Sequence, residues 1–228
     1  MHSRKVLQKF LQGCILTPVS DVFKTIASPA RAEIRVQGSR FIAQAFPAGS
    51  APEAQELLEG VRRAMHDATH HCYAYCLGRE ADEKRFSDAG EPSGTAGRPI
   101  LGVLEREGLT NILLVVTRYF GGTKLGTGGL VRAYAQAAST VLAAGTRVER
   151  TVLVRLSVSV PHHLIGELMH QVALFGATVA GDAFDHEAHY EVELRASRQE
   201  EFTRALREKT AGTARVVRRG ERAAPGRS

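Results

Sequence analysis

The fold is decided by one stretch, which runs from Arg118 to Tyr134 and reads Arg-Tyr-Phe-Gly-Gly-Thr-Lys-Leu-Gly-Thr-Gly-Gly-Leu-Val-Arg-Ala-Tyr. Five glycines fall within its nine positions 121–129. The preceding run 111–117, Asn-Ile-Leu-Leu-Val-Val-Thr, is apolar and β-branched, which predicts a buried strand. The following run 130–144 is rich in Ala and Leu and has no Pro or Gly, which predicts a helix. The order is therefore strand, glycine loop and helix.

The glycine loop has three interpretations. A nucleotide cradle is disfavoured, because neither Gly-x-x-x-x-Gly-Lys-Ser/Thr nor Gly-x-Gly-x-x-Gly with a later acidic residue occurs. An anion nest for RNA phosphate is attractive, since successive free N–H groups at a helix start bind anions and phosphate contacts need only N–H groups and cations. A purely structural turn also demands glycine. The residues leave the last two open.

Basic side chains cluster around this loop. The predicted anion or nucleic-acid site comprises Arg98, Arg118, Gly121, Gly122, Lys124, Gly128, Gly129 and Arg132, and a supporting loop provides His70, Glu91, Ser93 and Thr95. A cation in the first turn of a helix opposes the helix dipole, so Arg132 is poorly placed for stability alone. The alternative is an internal ion pair of Glu91 with Arg118 or with Arg132, which would pin the long loop.

Histidines and cysteines raise the question of a metal or a catalytic centre. His66, His70, Cys72 and Cys76 lie close in sequence, but they form no Cys-x-x-Cys motif, so we expect no metal and no cofactor. Ser93 and Thr95 stand beside glycines without a Gly-x-Ser-x-Gly motif, and His70 has no identifiable nucleophile to activate. We therefore predict no catalytic residue.

The periodicity of the chain predicts an α+β protein of two domains. In the N-terminal half it predicts strands over 33–46, a helix over 53–65 capped by Ser50, a strand over 71–77, a long irregular segment over 78–99 and a short helix over 99–107. From Arg150 onward the patterns give the order β-α-β-β-α-β, which is the ferredoxin-like arrangement. A capped helix is expected to begin at Ser197, and a last strand to span 213–218.

Composition limits the function classes. No apolar run approaches the roughly 18 residues of a membrane span, and three cysteines suit reduced thiols, so we expect a cytoplasmic protein with no membrane partner. The net charge is +6, but the two ends, 1–20 and 220–228, hold four of these excess charges. Nucleic-acid binding must therefore rest on local clusters such as the one at the glycine loop.

Four ordered blocks carry a family resemblance. They are the Arg118–Tyr134 stretch, the stretch 86–101 (Phe-Ser-Asp-Ala-Gly-Glu-Pro-Ser-Gly-Thr-Ala-Gly-Arg-Pro-Ile-Leu), the block 38–43 and the block 67–75. Together they resemble the YigZ/IMPACT family. The sequence departs from the family pattern at Ala89, where Asp is usual, and at Thr123, where a bulkier residue is common.

The resemblance implies an N-terminal domain like the second domain of a small-subunit ribosomal protein, as in elongation factor G, and a ferredoxin-like C-terminal domain. The expected division is an unstructured extension over 1–30, an IMPACT-type domain over 31–148, a ferredoxin-like domain over 149–219 and a basic disordered tail over 220–228. The resemblance also implies a link to translation or RNA.

Three functions follow from these expectations. The first is a translation-associated regulatory protein that binds RNA or the ribosome through phosphate at the basic glycine loop. The second is an enzyme acting on a phosphorylated small molecule, held by the same nest. The third is a module for a protein partner in translation control, as in the IMPACT branch of the family. We expect a binding protein rather than an enzyme.

Overall fold

The structure is a computed structural model that describes residues 20–225. Its elements are β1 (Val22–Ile26), β2 (Ala30–Val36), β3 (Ser39–Pro47), α1 (Ala51–Ala64), β4 (His70–Leu77), β5 (Glu83–Ser87), α2 (Gly97–Glu107), β6 (Ile112–Tyr119), α3 (Gly126–Ala144), β7 (Arg147–Val160), α4 (Ile165–Leu174), β8 (Thr178–Phe184), β9 (Ala188–Arg195), α5 (Gln199–Lys209) and β10 (Arg215–Pro225). Short 3₁₀ turns precede α4 and α5. Helix and strand alternate in the mixed pattern that the periodicity predicts.

The described chain forms two compact units, one of residues 22–152 with 223–225 and one of residues 20–21 with 153–222. The N-terminal unit is built on an antiparallel sheet of order β2-β3-β6-β4-β5. Helices α2 and α3 pack on one face of this sheet, and α1 packs on the other. The glycine loop leaves the central strand β6 and enters α3.

Burial on both faces explains why β6 is an uninterrupted apolar run. Leu114 and Val116 point into the core with α2 and α3, whereas Leu113 and Val115 point into the core with α1. A strand covered on both sides has no polar alternation. Ser50 caps α1 as predicted, since its side chain accepts a hydrogen bond from the backbone N–H of Glu53.

The C-terminal unit has the predicted β-α-β-β-α-β order. Its sheet has the order β8-β9-β7-β10. The first strand of the motif, β7, lies in the interior of the sheet and pairs with the last strand, β10, which lies at its edge. Helices α4 and α5 bury one face, where Phe175 meets Phe202 edge to face with ring centroids 5.4 Å apart. The two-domain α+β architecture is therefore confirmed.

The structure differs from the expected division at both ends. Part of the extension expected over 1–30 is ordered: β1 pairs with the first half of β7, from Val22 opposite Thr151 to Ile26 opposite Arg147. Residues 220–225 of the expected tail belong to β10, because Arg222 is held by the carboxylate of Glu193. The predicted features at residues 1–19 and 226–228 lie outside the described residues.

Three local predictions also need correction. The charged segment 79–85, expected to be irregular, contains most of β5, an edge strand whose exposed residues show no apolar alternation. Helix α3 begins at Gly126 rather than at Leu130, so three of the glycines belong to its first turn. Ser197 does not cap α5, because its hydroxyl and backbone N–H both bond to the carboxylate of Asp21.

Within residues 20–225, no helix is both long and apolar enough to cross a membrane. No group of three or more His, Cys, Asp and Glu residues in this part of the chain is arranged to hold a metal ion.

Candidate nucleic-acid interface at the glycine loop

A buried ion pair lies beneath the glycine loop. The guanidinium of Arg118, at the end of β6, donates through Nη1 to Oε1 of Glu91 at 2.8 Å, and both residues are buried. The hydroxyl of Tyr134, from the third turn of α3, donates to the same oxygen at 2.7 Å. Of the two predicted partners of Glu91, the structure therefore selects Arg118. This pair anchors the long loop to β6 and α3.

Ser39 links the ion pair to the loop backbone. Its Oγ accepts from Nη2 of Arg118 at 3.1 Å and from the backbone N–H of Gly121 at 3.2 Å. A Cβ on Gly121 would lie 2.0 Å from the carbonyl carbon of Gly38. Gly121 is therefore required for close backbone packing, which is the structural interpretation of this glycine.

Asp88 closes the loop that carries Glu91. Its carboxylate accepts hydrogen bonds from the backbone N–H groups of Gly94, Ala96 and Gly97 at 2.8–2.9 Å. Burial alone would raise the pKa of Asp88, but the three N–H donors together outweigh it and hold this pKa below its usual range. Asp88 thus fixes the segment 88–97 and supplies the start of α2 with the capping acceptor that it otherwise lacks.

The neighbouring Ala89 has φ 45°. Asp and Asn tolerate this left-handed conformation better than Ala does. The Asp that the resemblance implies at this position would therefore adopt the same conformation with less strain.

The predicted supporting residues take different positions. Nδ1 of His70 bonds to the carbonyl of Ala89 at 2.9 Å, and its Nε2 lies 3.9 Å from Oε2 of Glu91. Thr95 is buried and donates its hydroxyl to the carbonyl of Pro92 at 2.6 Å, whereas Ser93 is exposed. Within the described chain, neither hydroxyl is bonded to His70. His70 and Thr95 thus hold the loop together, and the three described residues form no pair of nucleophile and base.

The first turn of α3 presents the opposite environment. No side chain of residues 20–225 caps it, and no acidic residue lies in it. Gly126 has φ 68°, and Gly128 and Gly129 follow without side chains to cover the free N–H groups. Arg132 folds back toward this turn, since a Cβ on Gly128 would lie 3.5 Å from its Nη1. The helix start is therefore open and positive.

Two further predicted cations are exposed at helix starts. Lys124 precedes α3 by two residues, and Arg98 lies in the first turn of α2. Helices α2 and α3 begin at the same end of the unit. Tyr134 in the first half of α3 bonds to Glu91 in the loop before α2, and Ser139 farther along α3 accepts a hydrogen bond from Arg106 at the end of α2. Within residues 20–225, Lys124, Arg98 and Arg132 form no ion pair.

Cys72 and Tyr134 complete the buried cluster. Sγ of Cys72 lies 3.4 Å from the hydroxyl of Tyr134, and burial raises the pKa of this thiol to about 12. Burial also raises the pKa of Tyr134 far above its usual range. Neither group ionises near neutral pH, so the cluster is a fixed hydrogen-bonded support around the one ion pair.

The predicted site therefore separates into two parts. The support comprises Arg118, Gly121, Glu91, His70 and Thr95, and the open part comprises Arg98, Gly122, Lys124, Gly128, Gly129 and Arg132, with Ser93 exposed apart from both. Ser39, Tyr134 and Phe120 were not among the predicted site residues. All three lie in the quoted blocks 38–43 and 118–134, and the only signal for their role was that position.

Comparisons with known proteins agree with this architecture. The Impact N-terminal domain family matches residues 37–142. IMPACT family member YigZ of Escherichia coli (strain K12) is 31% identical over 193 residues, which cover 84% of this chain and 95% of the relative. IMPACT family member YvyE of Bacillus subtilis (strain 168) is 38% identical over 148 residues, 65% of this chain and 68% of the relative.

A solved crystal structure of a hypothetical protein superposes with a TM-score of 0.63 at 30% sequence identity, covering 86% of this chain and 96% of the other. The sequence relatives and this two-domain neighbour agree in extent with the fold described above. The chain therefore belongs to the IMPACT family.

Proposed function

We propose that this protein is a translation-associated regulatory protein that binds phosphate of RNA or the ribosome at the open first turn of α3. Membership of the IMPACT family supports a translation-associated regulatory role at the level of the family. The observation that carries the phosphate site is the uncapped turn Gly126–Gly129, which has no acidic residue and is flanked by the exposed cations Lys124 and Arg132.

The chemistry of this turn suits a phosphate oxygen. Free N–H groups at a helix start point toward the ligand, and the helix dipole favours negative charge there. Glycine at positions 128 and 129 lets a bulky anion approach the backbone. Lys124 and Arg132 add charge but read no base, so this site gives affinity and register rather than sequence specificity.

Arg118 has a different role from the one that its position in the sequence suggests. Its charge is compensated by Glu91, and Phe41, Ser39 and Tyr134 enclose the pair or bond to it. We assign Arg118 to positioning: it holds the strand end and the loop so that the first turn of α3 stays exposed.

The C-terminal unit offers a poorer surface for RNA. On β7 and β9 the residues that face away from the helices include Arg155 and Glu193, which are bonded to each other at 2.7 Å. Arg222 binds the same carboxylate. These two cations are neutralised, and the outward-facing residues of the paired segments 155–159 and 189–193 (Arg155, Ser157, Ser159, His189, Glu191 and Glu193) include no Phe, Tyr or Trp for base stacking. The imidazole of His189 is engaged by Ser159 and Asp185. The proposed site therefore belongs to the N-terminal unit.

The test is the affinity for a fluorescein-labelled structured RNA and for purified ribosomes, measured over a range of salt concentrations. The double variant Lys124→Ala, Arg132→Ala should bind several-fold more weakly and lose about one to two units of the salt slope. Arg63→Ala, an exposed arginine on α1, is the matched control and should behave like the wild type. Equal slopes for all three proteins would refute the proposal.

The enzymatic alternative has no specific contact in its favour, since the hydroxyls of Ser93 and Thr95 are not paired with His70. A protein partner in translation control is the remaining alternative. It predicts that a stoichiometric protein is captured by the wild type, and that Lys124→Ala with Arg132→Ala leaves this capture unchanged.

A further inference from the structure

Phe120 is an exposed aromatic residue in the loop between the end of β6 and the proposed phosphate site. Its side chain is 49% exposed, although it follows strand β6, which ends in the buried Arg118 and the partly buried Tyr119. Phe120 and Gly126 are six residues apart, so the ring and the open turn of α3 lie within about 20 Å of each other. A half-exposed ring in a loop that also carries the exposed cation Lys124 differs from an ordinary core phenylalanine, which has apolar surroundings.

The ring of Phe120 is the outer end of a row of aromatic and cation–π contacts. Tyr134 meets Phe41 edge to face at 5.2 Å, and the guanidinium carbon of Arg118 lies 5.5 Å from the centroid of Phe41. The same carbon lies 5.5 Å from the centroid of Phe120. Arg118 itself is fixed by Glu91. A guanidinium held in this way supports one aromatic ring inside the core and one at the surface.

The backbone that carries Phe120 is fixed on both sides. Its N–H donates to Oγ1 of Thr69 at 3.3 Å, and the next N–H, of Gly121, donates to Oγ of Ser39 at 3.2 Å. The close packing of Gly121 on Gly38 prevents the chain from shifting here. The ring is therefore presented with little conformational freedom to lose on binding, which favours a stacking contact.

We infer that Phe120 is a base-stacking platform, and that the nucleic acid this site takes is an unpaired segment of RNA, with its phosphates at the start of α3 and one base on the ring. Bases in a duplex are already stacked on each other and cannot cover a protein ring, whereas bases of loops and single strands can. The inference rests on the proposed function and deepens it, because it names the form of RNA that is bound.

The cationic surroundings favour RNA over a protein as the partner of this ring. Lys124 and Arg132 are exposed and form no ion pair within residues 20–225, so an apolar protein surface placed here would have to desolvate both. Phosphates with an adjoining base satisfy the cations and the ring together. This combination of cations and an aromatic ring is what binding sites for single strands use.

The experiment compares three labelled probes of equal charge: single-stranded oligoadenylate, a fully paired RNA duplex and inorganic polyphosphate. Phe120→Ala should weaken binding of the single strand about tenfold with an unchanged salt slope, and should leave binding of the other two probes within twofold. Phe86→Ala removes a ring of similar exposure, 42%, from β5 and should change none of the affinities. Thermal melting of each variant verifies that it is folded.

The chain contains no Trp, so Phe120→Trp introduces a single fluorescent reporter at the platform. Oligoadenylate should quench its emission on binding, and polyphosphate should not. Unchanged emission at saturation, or wild-type affinity of Phe120→Ala for the single strand, would overturn the stacking role while leaving the phosphate site intact. A wild-type protein that binds none of the three probes would overturn both proposals, which separates the two failures.

Discussion

Arg118 and Arg132 belong to the same glycine-rich stretch, but they lie in opposite environments. Arg118 is 5% exposed and bonded to Glu91 and Ser39, whereas Arg132 is exposed and forms no ion pair within residues 20–225. One cation stabilises the fold around a loop, and the other opposes the dipole of the helix on which it lies. A cluster of basic residues in a sequence can thus divide into a structural part and a part free to bind.

Removing the carboxylate of Glu91 tests the buried ion pair with Arg118. Glu91→Ala leaves the guanidinium of Arg118 buried without its counter-charge, so the free energy of unfolding should fall by about 3–5 kcal/mol. Glu105→Ala removes a partly exposed ion pair with Lys84 and should cost less than about 1 kcal/mol. Urea denaturation of both variants measures the difference. A loss at Glu91 no larger than at Glu105 would show that the buried pair does not support the loop.

Two neighbouring glycines, Gly121 and Gly122, test how closely the loop backbone packs. Gly121→Ala forces a Cβ against the backbone of Gly38 and should lower the free energy of unfolding by about 3 kcal/mol. Gly122 has φ 87° with open space around it, so Gly122→Ala should cost only about 1 kcal/mol of left-handed strain. Thermal melting ranks the two. The reverse order would contradict the close approach of the loop to β3.

The carboxylate of Glu193 in the C-terminal unit is a second case of a buried acid, with partners that are half exposed. The hydrogen bond from Arg222, opposed by burial and assisted by Arg155, lowers its pKa to about 2. The ionised form is therefore favoured by folding. This stabilisation is complete above the ordinary pKa of Glu, near 4.3, and is lost as the pH falls toward about 2.

Glu193→Gln should accordingly cost about 1 kcal/mol at pH 7, since solvent screens both arginines. The wild type and the variant should converge in stability between pH 4 and pH 2, which denaturant titrations across this range measure. A difference that persists unchanged at the acid end would mean that the charge of Glu193 is not what stabilises the strand.

Removing the exposed cation Lys124 should have the smallest effect on the free energy of unfolding, and the opposite sign. Lys124→Ala removes a positive charge from the start of α3, so at low salt the free energy of unfolding should rise by about 0.3–0.5 kcal/mol. Lys209→Ala, at the C-terminal end of α5, removes a cation from the favourable end of a helix and should lower it by a similar amount. Equal signs for the two variants would contradict the view that the charge of Lys124 is unfavourable for the fold at the start of α3.

Periodicity in the sequence was enough to predict the layout of the fold. The apolar run of β6, the Ala-rich helix α3 and the alternation along β7 are strong local signals, and the order β-α-β-β-α-β follows from them. Strand β5 (Glu83–Ser87) could not be predicted in this way, because its first three residues are charged and its first four are exposed, and only pairing with β4 makes it a strand. The start of α3 was missed because glycine is a poor helix former.

The site was predictable in its composition but not in its pairing. The sequence placed Glu91 within reach of two arginines, and the choice of Arg118 depends on Tyr134 and Ser39, which lie 43 positions away from Glu91 and 79 away from Arg118. Such contacts are set by the packing of α3 and β3 on the central strand. No local pattern reports them, so the free and the compensated cations could be separated only in three dimensions.

The most direct test of the account is an NMR titration of the backbone amides with single-stranded oligoadenylate. The amides of Gly126, Gly128 and Gly129 should shift progressively as phosphate meets their N–H groups, while the amide of Gly121, bonded to Ser39, should stay in place. Shifts confined to other surfaces, or saturating binding that leaves all four glycine amides unchanged, would contradict the assignment of the first turn of α3 as the phosphate site.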